Sequence, residues 1–363
     1  MQPQYKHQLP TTTQATLLNK TFSSVLRIAF FLCLGILLFW LVLRNQNLDL
    51  IREALAKADY KWALMSLAFG LMSNINRSAR WNMLLKPLGY KPRFINTFNA
   101  VMIGYFANLG LPRLGEVTRC AILSRYEGVP MDKSLGTVFT ERVIDVLVLL
   151  VCVLIALALE FDKIGGIAMD FIVTPMTSKV STAASGSIIF NLLMLGATVM
   201  FFGALYVAWR YLRHTKIYKR LLSVLRGFAQ GIQSVRRLDN VGWFLFHTVS
   251  MWIMYWMMAY CCFFAFDFTS VLSPFTGFVV MVFGAFGFAA PVQGGFGVYH
   301  FIVSQTLTQY GVAVENGMAY AILAHASQTV AVIIFGLLAL VLSPFINRKK
   351  EFGDGKQAAA VTE

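Results

Sequence analysis

Two short stretches put ionisable side chains into otherwise uncharged sequence. "LGLPRLGEVTR", residues 109–119, ends a run of eighteen uncharged residues (Phe94 to Leu111) with Arg113, Glu116 and Arg119, spaced around Pro112 and Gly115. "TERVID", residues 140–145, places Glu141, Arg142 and Asp145 in the first two turns of a predicted apolar helix. Two forked guanidiniums beside backbone amides freed at a proline-glycine turn make an anion site, and a phosphate suits both its charge and its geometry. The competing reading is a basic loop at the level of lipid headgroups. Glu141 and Asp145, four apart, share a helix face, while Arg142 and Asp145, three apart, can pair. An unpaired charge at a bilayer centre costs about 2.5–3.5 kcal/mol. The triplet therefore lines a polar cavity facing a helix bundle, or forms a salt bridge near the membrane surface.

A second set of candidates is polar or small but uncharged. "PVQGGFG" (291–297) offers Gln293, Gly294 and Gly295, with His300 shortly after; His325 and Gln328 lie three apart on one face of the last predicted helix. Gly-Gly also serves simple close helix packing, and a single His is often only a hydrogen-bonding residue. All twelve residues are candidate lipid-binding positions.

The elements that must hold these residues are membrane helices. The 363-residue chain is 57% hydrophobic and only 13% charged, about half the charge of a soluble domain at roughly 25%. Its mean hydropathy is +0.64. Residues 268–314 contain no Asp, Glu, Lys or Arg. The net charge of +14 reads as basic loops against anionic lipid; with no recognition motif beside it, it does not indicate nucleic acid. There is no Walker loop, nucleophile elbow or metal box, so no cofactor is expected. The five cysteines read as buried thiols.

Loop charge sets the topology. The basic stretches 77–93, 113–133, 210–237 and the tail after Pro344 read as cytoplasmic; 267–273 and 309–317, without Lys or Arg, read as outside. The segment 44–61 must also be outside despite four basic residues. The run 268–314 then crosses an even number of times. Its limbs, of 17 and 15 residues, reach only about 22–26 Å at 1.5 Å per residue, short of a roughly 30 Å hydrocarbon core. A re-entrant hairpin fits better than two full spans, and the same holds for the run ending in "LGLPRLGEVTR".

The chain also resembles itself. "GVPMDKSLGTVFTERVID" (128–145) aligns without gaps on "GVAVENGMAYAILAHASQ" (311–328), matching Arg142 to His325 and Asp145 to Gln328. The predicted fold is all-α: a polytopic membrane protein of six spanning helices plus two re-entrant hairpins, arranged as an inverted repeat. Unit one covers about 26–160, with spans near 26–43, 62–80 and 136–159. Unit two covers about 187–343, with spans near 187–210, 242–266 and 318–342. Residues 216–237 read as an amphipathic helix on the inner leaflet. Tails 1–20 and 346–363 are expected to be disordered and cytoplasmic, flanking one membrane domain, 21–345. Inverted repeats with broken helices meeting near the midplane mark transporters.

"RSARWNMLL", "LPRLGEVTRCAIL", "TERVIDVLVLL" and "PVQGGFGVYH" together resemble the lysylphosphatidylglycerol synthase transmembrane region, or flippase-like domain, over about residues 20–345. The resemblance implies a plasma-membrane protein that translocates an anionic or modified phospholipid and lacks the soluble aminoacyl-transferase domain. It assigns the motif P-x-x-G-E-x-x-R and E-R-x-x-D to Arg113, Glu116, Arg119, Glu141, Arg142 and Asp145. Many members carry an acid at the end of G-G-x-G-x-x-E, where this chain has His300. Besides a lipid transporter, two readings stay open: a non-catalytic partner of an envelope-lipid enzyme, and a membrane-embedded transferase using a lipid-linked donor.

Overall fold

The computed structural model describes residues 33–44, 46–110, 114–160, 238–290 and 292–360, together with Phe30, and side chains as far as Arg348. Arg113, the predicted span 187–210 and the predicted amphipathic helix 216–237 lie outside the described residues. All described elements are helical. They are α1 (Cys33–Leu43), α2 (Leu48–Lys57), α3 (Tyr60–Leu85), α4 (Phe94–Gly110), α5 (Leu114–Glu127), α6 (Met131–Leu159), α7 (Val241–Phe263), the single turn α8 (Asp267–Ser270), α9 (Pro274–Ala289), α10 (Val298–Thr308) and α11 (Val314–Ala360). Helices thus occur at five of the six predicted span positions. By length and hydropathy, α6 and the Val314–Arg348 part of α11 are able to cross a membrane, and α1 with α2, bent by 97°, would make a third if taken as one span. Both long helices leave many apolar side chains exposed; Leu154 and Leu159 of α6 are 65% and 66% exposed, which suits lipid rather than water as the surrounding medium.

One predicted boundary moves. α6 starts at Met131, after Pro130 at its N-cap, so Glu141, Arg142 and Asp145 sit in its middle rather than in its first two turns. Pro lacks an N–H and suits the start of a helix, where that donor would be unpaired anyway.

α3 and α7, the second predicted spans of the two units, run against each other. The Ser66 hydroxyl donates to the Met258 carbonyl at 3.0 Å, and Gly70 admits the Met258 side chain. α4 with α5, and α9 with α10, form two helix hairpins, each closed by glycine. A Cβ on Gly115 would lie 2.2 Å from the Gly104 carbonyl oxygen, and one on Gly287 would lie 2.6 Å from the Tyr299 Cα. Only a hydrogen side chain permits either approach. Each hairpin leads through a left-handed glycine, Gly128 (φ 69°) or Gly311 (φ 80°), and a buried valine, Val129 or Val312, into a long helix.

Polar contacts tie the base of the first hairpin to α11. The Asn96 and Asn347 amides bond to each other at 2.9 and 3.0 Å, and Asn99 donates to the Ser343 hydroxyl at 3.2 Å. At this end Lys86 pairs with Asp239 at 2.7 Å and Arg93 with Glu127 at 3.1 Å; the exposed Asp239 carboxyl is held below its usual range by that ammonium. At the opposite end α2 packs against α11 and lies beside the end of α7. Ile51 is buried with Phe266 and Val312, and the Asp59 N–H donates to the Ala265 carbonyl at 2.9 Å. The three segments predicted to share one side of the membrane thus lie together. Of the cysteines, Cys120, Cys152, Cys261 and Cys262 are buried thiols, whereas Cys33 is exposed, so the expectation of burial fails for Cys33.

Candidate functional site: a buried guanidinium–carboxylate cluster

Four arginines and three carboxylates converge where α3, α5 and α6 meet. Arg77 and Arg80, three apart on α3, both reach Glu141 and Asp145 on α6. Arg77 Nη1 pairs with Glu141 at very short range and with Asp145 at 3.1 Å; Arg80 Nη2 lies 3.2 Å from Glu141 and 2.6 Å from Asp145. From α5, Arg119 Nη2 donates to the other Glu141 oxygen at 3.0 Å. Arg142 donates to Glu116 at 3.1 Å and approaches Asp145 at 3.9 Å. Glu141 and Arg80 are fully buried, and Arg77 and Arg119 are 4% exposed. Such a set survives burial only because each charge faces an opposite one.

Aromatic groups hold the arginines in place. Arg119 stacks over Trp81 at 4.7 Å and Arg80 over Phe244 at 5.9 Å; Trp81 is itself fixed by donating to Thr137 at 2.9 Å. Arg77 Nη2 donates to the Tyr255 hydroxyl on α7 at 3.0 Å. Four guanidiniums against three carboxylates leave one positive charge in excess. The Nε of each arginine and Nη1 of Arg80 have no acceptor, and Oε2 of Glu116 has no donor. Beside them a cleft of about 10 Å³ opens between Gly104 and Tyr105 of α4, Gly115, Glu116 and Arg119 of α5, and Arg142 of α6. That is room for about one water molecule.

Of the six charged candidates, the structure places Glu116, Arg119, Glu141, Arg142 and Asp145 side by side. Arg77 and Arg80 are not among the twelve candidate positions and belong to the basic stretch 77–93. They are inside the cluster, and the signal was their i, i+3 spacing, which puts both on one helix face. Gly115 lies in the first turn of α5 at the Gly104 crossing, and its N–H donates to the Asn108 side chain at 2.7 Å. In this conformation that amide is already taken.

The uncharged candidates form a different site at the tip of the second hairpin. Gln293 donates through Nε2 to the carbonyls of Leu109 (2.9 Å) and Gly110 (at very short range). The two hairpins therefore meet tip to tip, and Gln293 satisfies carbonyls orphaned at the end of α4. Gly294, Gly295 and Gly297 all take positive φ, and a Cβ on Gly297 would press within 2.7 Å of the Phe39 backbone nitrogen on α1. His325 Nε2 lies 2.8 Å from the Gly294 carbonyl. His300 is buried edge-on to His325 and Phe39, with centroids 4.8 and 4.9 Å apart, and its Nδ1 has no partner. Gln328, partly exposed one turn along α11, joins none of these contacts. Ten of the twelve candidates are thus split between two places, with Gln328 apart from both and Arg113 outside the described residues.

Among the described residues every element is a helix, two of them long and apolar enough to cross a membrane, with a charged cluster buried between helices; these are the features of a membrane protein. Residues 24–336 match the family described as the lysylphosphatidylglycerol synthase TM region, and the chain belongs to that family. It is also similar to a UPF0104 membrane protein of Methanocaldococcus jannaschii, with 30% identity over 122 residues, which span 33% of this chain and 36% of that protein. No solved structure matches the chain.

Proposed function

We propose that this protein is a flippase-like transporter that moves lipids bearing an anionic phosphate headgroup between leaflets of the plasma membrane. The observation that carries the proposal is the buried cluster, in which four guanidiniums outnumber three carboxylates and keep unpaired N–H donors next to a hairpin. A phosphate monoanion would neutralise the excess and take those donors, which a carboxylate-rich or neutral site would not allow. The cleft beside Arg119 and Arg142 is too small for a phosphate, so the structure corresponds to a closed state from which α4 and α5 must part to admit a headgroup.

The two hairpins act as re-entrant halves of an inverted repeat. Their helices, of 17, 14, 16 and 11 residues, reach about 16–26 Å, short of a roughly 30 Å core. The tip-to-tip contact through Gln293 and the paired left-handed glycines Gly128 and Gly311 support that arrangement, which is a transporter architecture. The basic end with Lys86, Arg93 and Lys133 faces the cytoplasm, together with both termini.

The test is leaflet exchange in liposomes containing the purified full chain and a fluorescent phospholipid. Exchange is expected to exceed that of protein-free liposomes and to be faster for anionic than for zwitterionic headgroups. Arg142→Gln removes one charge-assisted donor, worth about 1.5–3 kcal/mol, and is expected to slow exchange about 10- to 100-fold. Exchange no faster than in protein-free liposomes across several headgroups would overturn the proposal.

A further inference from the structure

One cleft shares no lining residue with the charged cluster. About 350 Å³ in volume, it lies between α1, α10 and α11, and so within the size range of small-molecule sites. Its walls are apolar along most of their length: Leu38 and Leu41 from α1, Phe301 from α10 and Met318 from α11. Polar groups gather at Gln46, just past the end of α1, and at Gln305 of α10. The Gln46 Oε1 is buried without a hydrogen-bond partner.

The position of Gln46 relative to the bilayer follows from its neighbours. Asn47 caps α2 by accepting from the Asp49 and Leu50 N–H groups, and α2 turns away from α1 by 97°. Asp49, Arg52, Glu53 and Lys57 are exposed on α2 while Ile51 is buried, the pattern of a helix lying in the interface plane. The α1–α2 bend is therefore at the headgroup boundary, and the apolar walls extend from it into the hydrocarbon. Two residues before Gln46, the exposed Arg44 holds its guanidinium 5.7 Å above the Trp40 ring, a pre-ordered cation at the same level.

An apolar slot, amides at its mouth and a cation just beyond follow the order of groups along a glycerophospholipid. We propose that the cleft is a lipid-binding site: it seats one acyl chain, its amides meet the glycerol-ester region and Arg44 meets the phosphate. A side-chain amide carries two donors and a carbonyl acceptor, so Gln46, turned by half a rotation about its last bond, and Gln305 both offer N–H groups to ester carbonyls. Leu41 and Phe301, each 39% exposed, leave the slot open sideways to the bilayer, which is how a lipid enters. The site needs only that the chain is in a membrane and does not depend on transport through the charged cluster.

The experiment uses the full chain in nanodiscs that contain phosphatidylglycerol and phosphatidylcholine, with a trace of phospholipid carrying a diazirine midway along one acyl chain. After irradiation, labelled peptides are identified by mass spectrometry. Labels are expected to concentrate on 33–44 and 298–308 over the open lipid-facing surface of α6 at Leu150 and Leu154. Leu41→Trp, which fills the mouth from an exposed position, is expected to abolish that enrichment. Gln46→Leu is expected to lower it about five-fold, the loss of one net hydrogen bond. Labelling of α1 and α10 no stronger than that of α6, or enrichment unchanged by Leu41→Trp, would overturn the site. Leaflet exchange measured on the same Leu41→Trp protein separates this outcome from failure of the transport proposal.

Discussion

Glu141 carries more of the charge balance than any other side chain in the cluster: three arginines, Arg77, Arg80 and Arg119, donate to it. Replacing it by its isostere glutamine removes the charge without changing the shape and leaves buried guanidiniums facing a neutral amide. Breaking a buried ion pair from one side costs about 3–5 kcal/mol, so Glu141→Gln is expected to lower stability by that amount, read by denaturant or thermal unfolding in detergent. Glu116→Gln is a contrasting control. The Glu116–Arg142 pair is 26% and 40% exposed, and screened pairs of that kind contribute about 1 kcal/mol or less. If the two variants lost equal stability, burial would not be what distinguishes these carboxylates. Much of this cluster was legible in the sequence, because charge inside an apolar run is costly and needs a partner. Its depth was not. The start of α6 was placed several residues late, since Met131 to Gly136 carries Asp132 and Lys133 and so lacks the apolar pattern that marks a span.

The two hairpins depend on glycine for close packing more than for turning. Gly115 meets the Gly104 carbonyl oxygen at a distance no Cβ allows, whereas a Cβ on Gly136, on the neighbouring helix α6, would meet nothing within 4 Å. Gly115→Ala is expected to push α5 away from α4, separating Arg119 from Glu141, with loss of stability and of lipid exchange. Gly136→Ala is expected to be neutral or to stabilise by about 0.5–1 kcal/mol, the gain from restricting a helical glycine. The same unfolding assay reads both; a neutral Gly115→Ala would mean that the hairpin crossing is not a constraint. Nothing in the sequence separates these two glycines, because closeness of approach is a tertiary fact. It did mark Gly128 and Gly311 as equivalent, and both proved to be left-handed. It could not show that Gln293 spans to the carbonyls ending α4, a contact between residues more than 180 positions apart.

At the scale of the molecule, polar and charged groups among the described residues are sorted by place. A basic end holds Lys86 and Arg93, a mixed-charge end holds α2, a net-positive cluster lies within the helices, and uncharged glycines and histidines occupy the second hairpin tip. Loop charge marks the basic end, because it acts through transfer between water and lipid, whereas the segment 44–61 that holds α2 is assigned to the other end by the count of crossings, against its four basic residues. Loop charge and hydropathy could not reveal the cleft at Gln46, which exists only where three helices fail to fill space. The single excess positive charge in the cluster also has an electrical consequence. A membrane potential acts on a charge displaced across it with about 2.3 kcal/mol per 100 mV. If the cluster shifts across part of the field as the hairpins part, the unloaded protein moves net charge, while the protein loaded with a monoanionic headgroup moves almost none. Imposing a potassium diffusion potential on proteoliposomes should therefore change the rate of the empty return step and leave the loaded step nearly unaffected. Exchange limited by the return step would then run at a rate set by the polarity of the membrane.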